Sequence, residues 1–251
     1  MPFLHAWHAD LAADYSAADL APAERERLTR LRTPTLRQTY GRAHVFLRAV
    51  LSHYTGVSAS DLLISPDSNG KPTLTHFALH FNLSYRPGCA LLAVSDAGPV
   101  GADVEPLQPL PDAAALVQQL FSAPEQAALH AVEPGGWWAL FYTIWTRKEA
   151  YAKALGMGLG MEFAEFSVVD GLGPAGYQVH SFVLTITSPP SPLSKKEGEL
   201  ALVLDSKTSS PSFLERGLGG EVIVAPPGIT LAAIATPSLL PLRHFCYPAD
   251  L

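Results

Sequence analysis

Two short segments of the sequence carry acidic and basic side chains at spacings that could support chemistry on phosphate groups. The first, residues 145–160, reads WTRKEAYAKALGMGLG, a run of good helix formers that ends in glycines. On such a helix Trp145, Glu149 and Lys153 lie on one stripe. A glutamate four residues before a lysine is also the spacing of an ordinary surface ion pair, so this helix alone does not indicate catalysis.

The second segment is PVGADVEP, residues 99–106, in which two prolines bound a short run typical of a β-strand. In a strand Asp103 and Glu105 point to the same face, because side chains alternate with a period of two. Two neighbouring carboxylates repel each other unless a positive charge lies between them. A divalent cation would satisfy this requirement.

In this order, the two segments resemble the 4'-phosphopantetheinyl transferases of the surfactin-synthetase-activating type. That family combines a Gly-x-Asp-x-Glu strand with a later Trp-x-x-Lys-Glu-Ala helix that ends in a glycine-rich turn. Two further marks of the family precede them in the expected order, GKP at residues 70–72 and FNLS at residues 81–84. Each motif is weak by itself, whereas the ordered set is specific. The resemblance extends over roughly residues 22–169.

The resemblance implies roles for the charged residues of both segments. Asp103, Glu105 and Glu149 would hold Mg²⁺, a cation that prefers oxygen ligands. Glu149, or a metal-bound water that it orients, would be the catalytic base, and Lys153 would contact phosphate oxygens as both a catalytic and a coenzyme A-binding residue. Lys148 is a second-rank candidate for a functional residue of this site.

Four further residues are implied to bind coenzyme A. Arg27 would contact its 3'-phosphate, and Lys71 would contact the nucleotide's phosphates as a point charge. Ser84 would contribute a hydroxyl contact from the Asn-Leu-Ser segment. Tyr85 stands where the family usually has a histidine. Because a tyrosine can donate a hydrogen bond but carries no positive charge, we expect this contact to be weaker or to pass to Arg86.

The reaction implied is attack by a serine hydroxyl of an acyl or peptidyl carrier protein on the β-phosphorus of coenzyme A, with release of adenosine 3',5'-bisphosphate. The residues themselves leave two other functions open. One is a non-catalytic relative that binds coenzyme A or carrier proteins. The other is a Mg²⁺-dependent nucleotide pyrophosphatase, since three carboxylates and a few lysines do not specify an acceptor.

Composition and charge limit the class of protein. The chain has 251 residues, 48% hydrophobic and 16% charged, which suits one large or two small globular domains. The net charge of -6 argues against a nucleic-acid-binding protein. Residues 24–48 are an exception to this negative charge, because they contain seven arginines and two glutamates. Most of these arginines are typical of a solvated helix face, and the remainder could attract an acidic carrier protein.

The absence of a basic cluster followed by an apolar run, and of any stretch long enough to span a bilayer, predicts a cytoplasmic protein without membrane association. The two cysteines, Cys89 and Cys246, are far apart and favour reduced thiols. His76 and His80 lack the context of a zinc site, and we interpret them as ordinary surface or half-buried residues.

The elements that must position these residues are of mixed type. Helices are predicted at 22–31 and 35–54, two more within 111–131, and one from 137 into the 145–155 segment. Three strands joined by tight turns are predicted within 80–105, followed by strands at 163–171 and 177–186 and a last strand within 220–236. Residues 188–220 have the composition of a disordered insertion. The family implies an α+β fold, a pseudo-two-fold pair of similar α/β halves, here 1–107 and 108–251, with the active site in the cleft of a monomer.

Overall fold

The computed structural model describes residues 1–11, 14–185, 229–237 and 241–247, so the predicted insertion at 188–220 lies outside the described residues. Within them the chain forms five α-helices: α1 (Pro22–Arg30), α2 (Pro34–Thr55), α3 (Ala113–Leu120), α4 (Ala123–Ala131) and α5 (Trp137–Leu155). The strands are β1 (Leu4–Asp10), β2 (Ile64–Pro66), β3 (Pro72–Leu74), β4 (His80–Arg86), β5 (Cys89–Ser95), β6 (Gly101–Pro106), β7 (Gln178–Thr185), β8 (Ile229–Thr236) and β9 (Leu242–Tyr247). The mixed α+β class is confirmed.

Local sequence signals account for the ends of the long helices. In α2, Thr33 accepts a hydrogen bond from the backbone N–H of Leu36, Pro34 occupies the first turn, and Gly56 ends the helix at φ +68°. Helix α5 ends in the same way at Gly156, with φ +70°. The predicted helices at 22–31, 35–54 and 145–155 are therefore confirmed.

The strands form two larger sheets and one hairpin. A four-stranded sheet has the order β4-β5-β1-β9, in which β1 is antiparallel to β5 and parallel to β9. A three-stranded antiparallel sheet has the order β6-β8-β7, and β2 pairs with β3. Each larger sheet combines strands from before and after residue 107. The division into halves at that residue remains a prediction.

The core is built in four layers. Helix α2 covers one face of the four-stranded sheet, where Phe46 of α2 and Leu92 of β5 belong to one buried cluster. The opposite face of that sheet packs on the three-stranded sheet, where Leu91 and Val104 belong to one buried cluster. Helix α5 covers the remaining face of the three-stranded sheet, with Ala150 in its cluster. The order is thus helix, sheet, sheet, helix.

Two predictions about strands were wrong. Residues 163–171 form a short 3-10 turn and loop, because their backbone groups bond to side chains: the carbonyls of Phe163 and Phe166 accept from Lys148, and the N–H of Val168 donates to Glu125. In addition, β8 is not the last strand, since β9 follows it and pairs with β1.

Helix α5 approaches β6 unusually closely at one residue. A Cβ on Gly101 would lie 1.9 Å from the carbonyl oxygen of Ala150 and 2.3 Å from the nitrogen of Ala154. Only glycine fits this contact. The first residue of the GADVE motif therefore lets the helix that carries Glu149 and Lys153 lie directly on the strand that carries Asp103.

Candidate active site

Asp103 is the most deeply buried of the three predicted metal-binding carboxylates, with 1% of its surface exposed. Its Oδ1 accepts hydrogen bonds from Lys153 Nζ at 2.5 Å and from Ser84 Oγ at 3.1 Å. Its Oδ2 is buried and has no hydrogen-bond partner among the described residues. Three elements, β4, β6 and α5, therefore meet at this carboxylate, and each supplies a residue that the sequence predicted for the site.

Lys153 is not the partner in a solvated surface pair. Its ammonium forms an ion pair with Asp103 and also lies 3.3 Å from Ser84 Oγ. The strand and the helix are separated by a long stretch of sequence, and their contact brings the two charged groups together. This geometry agrees with the predicted clustering of Asp103, Ser84 and Lys153.

Glu149, one helical turn before Lys153, lies in the same electrostatic environment. Burial raises the pKa of Glu149, and the negative charge of Asp103 raises it further. Glu105 acts in the same direction, whereas Lys153 and Arg86 oppose the shift. The charges of the other two predicted carboxylates therefore act on Glu149, and the site favours a proton on Glu149 more than water does.

Glu105 is bound by a cation from the neighbouring strand. Arg86 Nε donates to Glu105 Oε2 at 2.8 Å, and a second guanidinium nitrogen donates to Oε1. This bidentate pair, together with the charges of Asp103 and Glu149, raises the pKa of Arg86. The sequence suggested Arg86 only as a substitute for Tyr85, because the packing of β4 against β6, a strand of the other sheet, brings Arg86 to Glu105 and is a tertiary feature.

The donor atoms at this site suit Mg²⁺, which prefers carboxylate oxygens. The buried, unpartnered Oδ2 of Asp103 is an available ligand atom. Among the described residues, however, no group of three acidic, histidine or cysteine side chains is arranged to hold a metal ion. Lys153 and Arg86 compensate the carboxylates instead, so a shared Mg²⁺ would require Glu105 to release Arg86.

A second cluster contains Arg27 and Tyr85. The exposed guanidinium of Arg27 lies 5.3 Å from the centre of the Tyr40 ring. Tyr85 is half-buried, and burial raises its pKa while Arg27 and Arg86 oppose that shift. Arg86 borders both clusters, so the Arg27–Tyr85 cluster lies beside the carboxylate site.

His44, which the sequence did not indicate, also belongs to this second cluster. Its ring stacks on Tyr40 with centroids 4.0 Å apart and contacts the Tyr85 ring edge-on at 6.1 Å. Its Nδ1 lies 2.9 Å from Glu24, whose pKa is lowered to about 2 by hydrogen bonds from His44 and Arg48 that outweigh its burial. No motif marks His44, because its partner belongs to another helix.

Lys71 does not reach the carboxylates. Its Nζ donates to the carbonyl oxygens of Val100 and Ala154, each at 2.8 Å. Burial lowers the pKa of Lys71 to about 8, and the carboxylate of Asp67 partly opposes this shift. Five of the predicted site residues thus lie together: Asp103, Glu105, Glu149, Lys153 and Ser84. Arg27 and Tyr85 lie beside this group. Lys71 instead donates its hydrogen bonds to backbone carbonyls.

Lys148, the second-rank candidate, has a structural position. Its side chain is completely buried and forms an ion pair with Glu125 at 2.8 Å. Its ammonium also donates to the carbonyls of Phe163 and Phe166. Lys148 therefore connects α5 to α4 and to the loop that follows α5, and its charge is satisfied away from Asp103.

Several arginines of residues 24–48 bind backbone carbonyls and do not form an open cationic face. Arg25 donates to Leu20 O at 2.6 Å, Arg37 to Leu31 O at 2.8 Å and Arg42 to Asp14 O at 2.6 Å. Arg48 is buried against Glu24 and the carbonyls of Ala59 and Leu62. Much of the positive charge predicted for a partner surface is thus used to hold loops.

Comparison with known proteins finds similarity to one family. Residues 99–194 match the model of the 4'-phosphopantetheinyl transferase superfamily. The chain is 35% identical over 154 residues to the 4'-phosphopantetheinyl transferase HetI of Nostoc sp. (strain PCC 7120), covering 60% of this chain and 63% of that protein. It is 30% identical over 125 residues to the 4'-phosphopantetheinyl transferase Sfp of Bacillus subtilis (strain 168), covering 49% and 54%.

A third relative, the 4'-phosphopantetheinyl transferase AcpT of Escherichia coli (strain K12), is 37% identical over 110 residues, covering 43% of this chain and 55% of that protein. The chain therefore spans between about half and just under two thirds of the length of these relatives. No helix among the described residues is both long and apolar enough to cross a bilayer.

Proposed function

We propose that the chain is a member of the 4'-phosphopantetheinyl transferase superfamily and that it transfers the phosphopantetheine group of coenzyme A to a serine of an acyl or peptidyl carrier protein. The observation that carries this proposal is the junction of β4, β6 and α5, where Lys153 contacts both Asp103 and Ser84. Glu149 and Glu105 face the same junction. Carboxylates and a lysine in one half-buried site suit the transfer of a charged phosphoryl group.

In this mechanism the carrier serine Oγ forms a bond to the β-phosphorus of coenzyme A. The bond from that phosphorus to the bridging oxygen breaks, and adenosine 3',5'-bisphosphate leaves with the electron pair. Glu149 accepts the serine proton, directly or through a water. Its raised pKa supports this role, because a carboxylate with a pKa nearer to neutral pH is a stronger base.

The positive groups of the site compensate the charge of the pyrophosphate. Lys153 would transfer part of its hydrogen bonding from Asp103 to a phosphate oxygen, and Ser84 would help to orient that oxygen. Mg²⁺, if held by Asp103, Glu105 and Glu149, supplies further neutralisation of the phosphates. The unpartnered Oδ2 of Asp103 supports this assignment.

The nucleotide end of coenzyme A is proposed to lie over the second cluster. Arg27 is exposed and cationic, it lies over the Tyr40 ring, and its charge lowers the pKa of Tyr85 against the effect of burial. His44 adds an imidazole next to that phenol, held in place by Glu24. A 3'-phosphate could therefore meet one permanent cation and two hydrogen-bonding rings.

We further propose that the enzyme is of the surfactin-synthetase-activating type, that it binds coenzyme A between two similar halves, and that it acts as a cytoplasmic monomer. Each larger sheet is covered by one long helix, α2 or α5, and this repeated combination of sheet and helix supports a two-halved molecule in which β6 and β9 cross between the halves. No disulfide joins Cys89 and Cys246, both of which the structure describes, and this is compatible with a reducing compartment.

The decisive experiment measures the intact mass of an apo acyl carrier protein and of an apo peptidyl carrier domain after incubation with the protein, coenzyme A and Mg²⁺. We expect a gain equal to one phosphopantetheine group on at least one carrier, and we expect EDTA to abolish it. The released nucleotide is measured in parallel by chromatography.

The same experiment separates the alternatives. Binding of coenzyme A without mass gain or bisphosphate release would favour a non-catalytic binding protein. Release of nucleotide from coenzyme A without any carrier would favour a pyrophosphatase. Either result would contradict the proposed transferase activity.

A further inference from the structure

Lys71 makes contacts that differ from those of a free phosphate-binding lysine. Its aliphatic stem lies at the end of α5, where a Cβ on Gly156 would be 3.6 Å from the Cβ and Cδ of Lys71. Its ammonium then donates to the carbonyl of Ala154 in the last turn of α5 and to the carbonyl of Val100 just before β6. One side chain thus connects the helix and the strand of the site.

The two acceptor carbonyls lie next to the reacting groups in sequence. Ala154 directly follows Lys153, and Val100 is three residues before Asp103. Between them Gly101 packs directly against the backbone of α5. A displacement of the last turn of α5 along β6 would therefore change the distance between Lys153 and Asp103.

The chemistry of the contact is favourable. The last four carbonyls of a helix have no intrahelical partner, and a cation there also complements the helix dipole. Lys71 is itself held by its hairpin, since its N–H donates to Asp67 Oδ1 at 2.9 Å and its carbonyl accepts from the N–H of Asp67 at 2.8 Å. The backbone of Lys71 is thus held in place by its own hairpin, which is separate from α5 and β6.

We propose that Lys71 is a positioning residue, whose ammonium fixes the last turn of α5 against the start of β6 and so sets the geometry of Lys153 and Asp103. The proposal rests on the proposed transferase function for its kinetic consequence. It differs from the role that the sequence suggested, in which Lys71 contacts the nucleotide's phosphates directly.

The test compares the wild-type protein with Lys71→Met, which keeps the aliphatic stem and removes the ammonium. We expect kcat for carrier modification to fall about tenfold or more, while KM for coenzyme A changes by less than about threefold. In the protein without ligands, hydrogen exchange of the amides at 100–103 and 152–157 should become faster, while that of α2 stays unchanged.

Two further variants complete the test. Thr73→Val removes a hydrogen bond to the carbonyl of Ser65 within the same hairpin and should leave both readouts as in the wild type. Lys71→Gln keeps N–H donors on a shorter side chain; it should partly restore exchange protection and kcat, and it replaces Lys71→Met if that variant does not fold.

A large rise in KM for coenzyme A with kcat retained would overturn the positioning role in favour of direct phosphate binding. Unchanged exchange at both segments would overturn it as well. If the wild-type protein modifies no carrier, the proposed function fails, whereas the exchange measurement still decides whether Lys71 holds α5 to β6.

Discussion

At the scale of single residues, Glu149 differs from the other two carboxylates of the site. Asp103 and Glu105 each form an ion pair with a cationic partner, Lys153 and Arg86 respectively. Glu149 instead experiences burial and two like charges, which raise its pKa. A carboxylate in this environment is suited to accept a proton.

We therefore predict that Glu149→Gln keeps coenzyme A binding but lowers turnover by about a hundredfold or more, the usual contribution of a general base. Binding is measured by calorimetry and turnover by the mass of the carrier protein. The exposed Glu133, which precedes α5, provides a matched control in Glu133→Gln, expected to behave as the wild type. A parallel loss of binding and turnover would assign Glu149 to binding only.

The adjacent Lys148 illustrates a charge whose role is structural. Its ion pair with Glu125 is completely buried on both sides, and removing one partner leaves a buried charge uncompensated. We predict that Lys148→Met lowers the free energy of unfolding by about 3–5 kcal/mol, measured by denaturant titration. The double variant with Glu125→Gln should recover part of this loss.

A matched control is the exposed pair between Arg30 and Glu26, whose side chains are 73% and 64% exposed. Arg30→Met should change stability little, because water and salt screen exposed pairs. If Lys148→Met were equally mild, the buried pair would not hold α4 and the loop after α5 in place.

At the scale of secondary structure, the close contact between α5 and β6 determines whether the charged residues meet. A Cβ at position 101 would overlap the backbone of the helix, which cannot move like a flexible side chain. We predict that Gly101→Ala displaces α5, lowers the free energy of unfolding by at least about 1–3 kcal/mol and reduces carrier modification strongly.

The control for this substitution is Gly160→Ala, since a Cβ there would meet no atom within 4 Å. Thermal unfolding and the carrier mass assay report stability and activity for both variants. A stable, fully active Gly101→Ala protein would show that the distance between helix and strand is not critical.

Elements with local signals were predictable, and those defined by distant partners were not. The capping residues Thr33 and Gly56 and the alternation of apolar and acidic residue types in β6 are local signals, so α2 and the carboxylate strand could be predicted from the sequence. The segment 163–171 has the composition of a strand, yet its carbonyls are taken by Lys148. The partners of His44, Lys71 and Arg86 likewise depend on packing between elements that no motif encodes.

At the scale of the whole molecule, the two larger sheets enclose a group of histidines. His8 on β1, His180 on β7 and His244 on β9 belong to three strands of the two packed sheets. The His244 ring packs edge-on against Phe182 with centroids 4.2 Å apart. Among the described residues, neither ring nitrogen of His244 has a hydrogen-bond partner. Folding therefore brings an imidazole from near the end of the chain into the interface between the sheets.

This burial makes stability depend on pH in a defined window. Burial, followed by the charges of His8 and His180, lowers the pKa of His244 from 6.5 to about 4. The unfolded chain thus binds the proton at higher pH than the folded chain, so stability falls as pH decreases from about 6.5 towards 4, by up to about 3 kcal/mol. We predict that His244→Leu flattens this part of the dependence of stability on pH, measured by denaturant titration at several pH values.

The exposed His130 on α4 supplies the control, His130→Gln, which should keep the wild-type slope of stability against pH. An unchanged slope in His244→Leu would assign the acid sensitivity to other groups and would show that the interface between the sheets tolerates a charged imidazole.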